Sequence, residues 1–173
     1  LRLAKLEKSY LVIDARNMKL MLKLKGAVVW SYNLEMEESG SDGLDEFVNR
    51  FRGSHDRFIR LLSGKHLFAA TEKTPDSILA IVGEAVNVDP ELLQRDVPGK
   101  FQLLWSGGLI LEVRTDIVGK PTSRLKNTFV DFRSVLQKPF GESHLVIKMS
   151  PDEALTLYRV SRSGLPTLIF PRF

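Results

Sequence analysis

No cysteine occurs among the 173 residues of the chain. That absence excludes disulfides, thiolate metal sites and thiol catalysis together. It leaves the compartment open. No run of about 18 apolar residues is present, so no segment reads as a membrane-spanning helix. A signal-peptide pattern is missing as well. The chain opens on Leu1-Arg2-Leu3 rather than on methionine, which suits a trimmed or processed piece and leaves room for a lost signal or anchor. Histidine occurs three times, at His55, His66 and His144, too scattered for a metal signature such as H-E-x-x-H. There is no G-x-S-x-G elbow. There is no glycine-rich phosphate loop, because Gly107-Gly108 is short and reads as a hairpin turn. No metal and no cofactor is expected.

What is present suits a folded domain. Hydrophobic residues make up 43% and charged residues 27%, enough of each for a buried core and a polar surface. Lys and Arg exceed Asp and Glu by 25 to 21. The charges alternate in sign along most of the chain, so the excess reads as ordinary solubility, and nucleic-acid binding is not expected. Residues 1–9 read as a helical tail, and 10–173 as a single domain.

Tyr10 to Asp14, Lys19 to Lys25 and Ala27 to Leu34 read as three strands of a meander, with Leu20, Leu22 and Leu24 on one face. Glu35 to Gly43 is a polar loop. Leu44 to Leu62 has helical spacing in Phe47, Phe51, Phe58, Ile59 and Leu62, with a break at Gly53-Ser54, and a basic face of Arg50, Arg52, Arg57 and Arg60 that reads as solvated. His66 to Ala70 reads as a strand. Asp76 to Val88 fits helix or strand. Asp89-Pro90-Glu91 opens a helix that Val97-Pro98-Gly99 ends. Phe101 to Trp105 and Leu109 to Arg114 form a hairpin. Gly119 to Ser123 is a loop, Leu125 to Leu136 a helix, and Pro139 to Glu142 a loop into the strand His144 to Met149. Ser150-Pro151-Asp152-Glu153 spells a capping box for a helix to about Tyr158. Gly164-Leu165-Pro166 then turns into a last strand, Thr167 to Phe170. Trp30 and Trp105 read as core or sheet-face residues rather than sugar platforms. The acidic pairs Asp42/Asp45 and Asp152/Glu153 read as loop and helix-start residues.

The segment Ser143-His144-Leu145-Val146-Ile147-Lys148-Met149-Ser150 resembles the S-H-G-C-V-R-L-S motif of the L,D-transpeptidase family of cell-wall enzymes. The resemblance continues. Pro151 to Tyr158 and Gly164 to Ile169 follow the family's N-x-D-A-x-x-L-Y, G-x-P and V-x-I in order and spacing. Tyr10 to Asp14, Leu20 to Leu24 and Gly26 to Val29 resemble its opening strands. The middle, about 35–103, carries no such likeness. A second family signature, I-H-G-T, has its best counterpart in Glu112-Val113-Arg114-Thr115, where Thr115 alone is kept. No histidine lies between His66 and His144.

The resemblance implies a mixed α/β, mostly β domain, a β-sandwich or open barrel with peripheral helices. It also implies a lost reaction. Ser143 and His144 are kept, Leu145 replaces the glycine, Val146 the nucleophilic cysteine, and Lys148 the arginine. Valine has no lone pair to attack a carbonyl. Leucine puts bulk where the family needs space. Lysine keeps the charge but loses the bidentate fork. Ser143 cannot readily replace the thiol, because neighbours on a strand point to opposite faces. No catalytic residue is therefore expected. Ser143, His144, Leu145, Val146, Lys148 and Thr115 are vestiges of the motifs, and His144, Lys148 and Arg114 are candidate ligand-binding residues. The function so implied is a non-catalytic domain of the bacterial periplasm or cell envelope that binds a peptidoglycan stem peptide or scaffolds a wall protein. The alternatives are a protein-interaction module with its cleft filled by Leu145 and Val146, or an enzyme of unrelated chemistry on the same fold.

Overall fold

The computed structural model describes residues 8–34, 59–71, 76–88, 93, 96–118, 120–121 and 143–170. Nine strands and two helices lie among them: β1 (Ser9–Asp14), β2 (Lys19–Leu24), β3 (Ala27–Asn33), β4 (Ile59–Ala70), α1 (Asp76–Val86), β5 (Pro98–Trp105), β6 (Leu109–Arg114), β7 (Lys120–Pro121), β8 (Ser143–Lys148), α2 (Pro151–Val160) and β9 (Pro166–Phe170). The strands run in the order β3-β2-β1-β9-β4-β5-β6-β8, and β7 pairs with β4 beside this path. Pairing is mixed. β1–β9 and β6–β8 are parallel, and the other pairs are antiparallel. The fold is mixed and mostly β, as expected from the sequence.

The opening meander follows from its residues. Alternation along K-L-M-L-K-L buries Leu20 and Leu22. Lys25 and Gly26, both at positive φ, make the turn into β3. The run Y-L-V-I is apolar at every position because both faces of β1 are covered. Leu11 and Ile13 enter the main core, while Tyr10 and Val12 pack with Leu168 on the other side.

Several sequence expectations change. The end of the supposed helix Leu44 to Leu62 is the start of β4: Ile59, Arg60 and Leu61 pair with Leu168, Thr167 and Pro166, and sheet pairing overrides the helical spacing. Residues 44–58 lie outside the described residues. β4 begins well before His66, and the stretch 76–88 resolves as helix. Its C-terminus is a Schellman stop, with Asn87 at φ 52° and the Val88 N–H donating to the Gly83 carbonyl at 3.0 Å. Of the helix expected from Asp89, Leu93 is described as helical, and Asp96 and Val97 are described outside any helix. Pro98 and Gly99 begin β5 rather than a loop, with proline tolerated at a strand's first position. Lys120-Pro121, expected in a loop, pair with Ala70 and Ala69. Ser9, expected in the helical tail 1–9, opens β1, while residues 1–7, the loop 35–43 and the helix 125–136 fall outside the described residues.

α2 is the hub of the core. Ser150 caps it, its hydroxyl accepting from the Glu153 N–H at 3.4 Å, with Pro151 in the first turn. The capping box is only half made. The Glu153 carboxylate turns instead to Trp30, whose Nε1 donates to it at 2.6 Å. α2 buries Ala154, Leu157 and Tyr158 in the main core, and the Tyr158 ring meets Phe101 edge-on at 5.2 Å.

β3 stands at one end of the strand order and β8 at the other, yet they are tied. The Tyr32 hydroxyl donates to the Lys148 carbonyl at 2.9 Å, and Trp30 stacks on Tyr32 at 6.4 Å. The sheet has curled until its ends nearly meet, the geometry of an open barrel. Leu157→Ala should cost about 2–5 kcal/mol, read as a lowered urea midpoint, because Leu157 is wholly buried where all the layers meet. A loss under about 1 kcal/mol would show that α2 does not organise the core.

Candidate functional site

The β5–β6 hairpin turns at Gly107 and Gly108, with φ 90° and 84°. This sets β6 beside β8 in a parallel register that places Ile110 against His144, Glu112 against Val146 and Arg114 against Lys148. Across the hairpin, Gln102 lies opposite Glu112 and Lys100 opposite Arg114. Alternation then sorts the motif strand. Leu145 and Ile147 point into the main core, both about 1% exposed. His144, Val146 and Lys148 share the other face with Gln102, Glu112 and Arg114.

Leu145 therefore does not fill a cleft beside Val146, as the sequence suggested. It fills the core behind the strand. Val146 does lie on the site face, 8% exposed. Ser143 is buried at 1%. Thr115 acts locally, its hydroxyl lying 3.1 Å from the Pro98 carbonyl and 3.2 Å from that of Gly99 and accepting from the Ile117 N–H at 3.3 Å. It ties the exit of β6 to the start of β5. Val113, aligned with the histidine of the second signature, is buried in the core, so Glu112 is the β6 residue level with Val146.

Glu112 is the centre that sequence reasoning missed. Its side chain is 3% exposed. Oε1 accepts from Arg114 Nε at 2.7 Å and lies 3.3 Å from Lys100 Nζ. Oε2 accepts from Gln102 Nε2 at 2.9 Å. His144 Nε2 is buried, makes no hydrogen bond, and lies 3.6 Å from Oε2, within electrostatic reach. Burial is the largest influence on this carboxyl and pushes its pKa up. The His144, Gln102 and Arg114 side chains and the Lys100 charge together outweigh it, and hold the group ionised far below the usual carboxylate range. The signal in the sequence was a glutamate inside L-I-L-E-V-R, a run otherwise apolar enough for a strand buried on both faces.

Of the candidate ligand residues, Arg114 and His144 meet at Glu112. Lys148 stands at the rim and pairs with Asp116 at 2.7 Å, their side chains 55% and 77% exposed. His66 pairs with Gln102 across β4 and β5, which puts it on the same face as Glu112, and its ring meets Phe68 edge-on at 4.5 Å. His55 is outside the described residues. A cavity of about 530 Å³ is lined by Lys8, Ser9, Leu24 and residues 162–166, and no motif residue borders it.

No family model matches the chain, and no curated protein does. Solved structures do match. The chain is similar to L,D-transpeptidases. The catalytic domain of the Enterococcus faecium L,D-transpeptidase superposes with a TM-score of 0.44 at 13% identity, over 96% of this chain and 99% of that one. A longer structure of the E. faecium enzyme gives 0.42 at 14%, over 95% and 50%, and an L,D-transpeptidase from Mycobacterium smegmatis gives 0.41 at 13%, over 93% and 58%. The chain thus spans about half the length of the longer E. faecium structure. Likeness at this level says nothing of activity.

Glu112→Gln should destabilise the protein by about 1–3 kcal/mol at pH 7, leaving Lys100 and Arg114 without their shared anion. The sign with pH follows from the lowered pKa. The stabilisation is full above the unfolded value of about 4.3 and drains as pH falls below it. Urea midpoints of wild type and variant should draw together on acidification below about pH 4. A gap that stays constant would assign the effect to something other than this carboxyl.

Proposed function

We propose that this chain is a non-catalytic L,D-transpeptidase-like domain of the bacterial cell envelope that binds a peptidoglycan stem peptide. The face of β5, β6 and β8 is the binding surface, with His144, Lys148 and Arg114 as ligand contacts. The observation that carries the reading is Val146. It occupies the site face of the motif strand where a cysteine would supply the nucleophile, and its neighbour across β6 is an ionised carboxylate rather than a base for a thiol. Scaffolding of a wall protein through the same face is a variant of this reading. A module with its cleft filled keeps Val146, 8% exposed on the site face, as its filling residue and loses Leu145, which lies in the core.

Chemistry of a different kind finds one favourable observation, the ionisable cluster of Glu112 and His144. Its electrostatics argue against proton transfer. A general base works best with a pKa near the operating pH, and Glu112 is held far below that by its donors. The cluster is suited to holding charge in place.

Purified chain incubated with isolated sacculi should be retained, while the same sample yields no cross-linked muropeptides. Cross-linking turnover would end the non-catalytic reading, and loss of retention would end the wall-binding one.

A further inference from the structure

Two long stretches of the sequence, residues 15–34 and 154–173, hold no aspartate or glutamate. The fold brings the middle of each to one end of the sheet. Ser9 at the start of β1 pairs with Leu24 at the end of β2, and Leu24 pairs with Ala27 across the hairpin turn. β9 runs parallel to β1, so the loop that leads into it, from Arg162 to Leu165, arrives at the same end. The cavity of about 530 Å³ lies here, with Lys8 and Arg162 in its lining and Leu24 and Leu165 among its apolar residues. Among the described residues Lys8, Lys23 and Arg162 enter no ion pair.

Beside the cavity the surface is apolar. Leu24 is 41% exposed, Val28 51% and Val29 53%. Strict alternation along β3 would turn one of the two valines inward. A register shift prevents that. Trp30 pairs with Leu22 and Val28 with Lys23, which leaves Val29 as the extra residue of a bulge. Bulges and lysines are ordinary guards of a sheet edge, but neither calls for two valines in water. An apolar tip among cations, on segments without an acidic side chain, suits the boundary between headgroups and acyl chains of an anionic bilayer. A second copy of the chain, joined about a two-fold axis, would set these cations against themselves.

We propose that this end of the molecule docks peripherally on an anionic phospholipid surface, with Leu24, Val28 and Val29 entering the headgroup boundary and the cavity beside Lys8 and Arg162 receiving a lipid phosphate. The contact does not rest on the peptide-binding reading. Arg162 follows the C-cap of α2 whereas the motif strand ends at its N-cap, so the ten residues of the helix, about 15 Å, separate the two regions.

Flotation of the whole chain with vesicles of phosphatidylcholine and phosphatidylglycerol, against vesicles of phosphatidylcholine alone, tests this. The chain should float with the mixed vesicles and not with the neutral ones, and raised salt should weaken the binding. Lys23→Gln and Arg162→Gln should each lower the partition coefficient about fivefold. Val28→Ser combined with Val29→Ser, both at exposed positions, should lower it roughly tenfold. Because the chain has no cysteine, Ala27→Cys offers a single thiol for an environment-sensitive dye. Its emission should shift to the blue on mixed vesicles. The same dye on Arg16→Cys, at the other end of β1 and β2 and about 20 Å away, should not respond. No flotation overturns the proposal, and so does equal binding to neutral vesicles. A response at Arg16→Cys without one at Ala27→Cys places the contact elsewhere and overturns it as well. Weakened binding in the glutamine variants with unchanged binding in the serine variant also overturns it, reducing the surface to a patch for any polyanion. Tighter binding to soluble poly-glutamate than to mixed vesicles overturns it in favour of an acidic protein.

Discussion

β4 pairs with β9 through Ile59–Leu61 and with β5 from Leu62 onward, and everything else in the fold depends on that change of partner. It is the strand through which the β1–β2–β3–β9 half of the sheet is hydrogen-bonded to the β5–β6–β8 half. Register shifts between Leu62 and Gly64, and again near Ala69, let the strand bend as it crosses. The bend brings both inner faces round α2, whose Leu157 then touches water nowhere. It also carries β3 far enough to meet the end of β8 through Tyr32. Without the bend the two halves would lie in one open sheet with its apolar face exposed.

The same curvature explains the position of the charges. The concave side is taken by the core, so the polar members of β5, β6 and β8 are turned to the outer face. Alternation puts Leu145 and Ile147 behind the sheet and His144, Val146 and Lys148 in front. A buried carboxylate on that face is costly unless it is paired and hydrogen-bonded. Glu112 meets that condition with contacts from three strands at once, so the ion cluster and the strand register support each other. A slip of β8 by one residue would exchange Val146 for a core leucine and send His144 into the apolar interior.

Much of this was legible in the order of residues. The strands β1, β2, β3, β5, β6, β8 and β9 and the helix α2 each carry a local signature, whether alternation, a hairpin glycine pair or an N-cap followed by proline. The errors share a cause. Ile59–Leu62 has helical spacing but lies in β4 because β9, more than a hundred residues away, offers it partners. Glu153 fits a capping box but is claimed by Trp30, distant in the chain. Leu145 looked like an obstruction in a cleft until the strand's facing was known.

Composition and order by themselves determined that the chain supplies no thiol, that the domain is mostly strand, and that valine stands at position 146. Each of these follows from residue type or from periodicity along a few neighbours. The site was decided by tertiary structure alone. Glu112 gathers Lys100, Gln102, Arg114 and His144 only because three strands come into one register, and sequence periodicity says which face a residue takes but not which residue of another strand stands beside it.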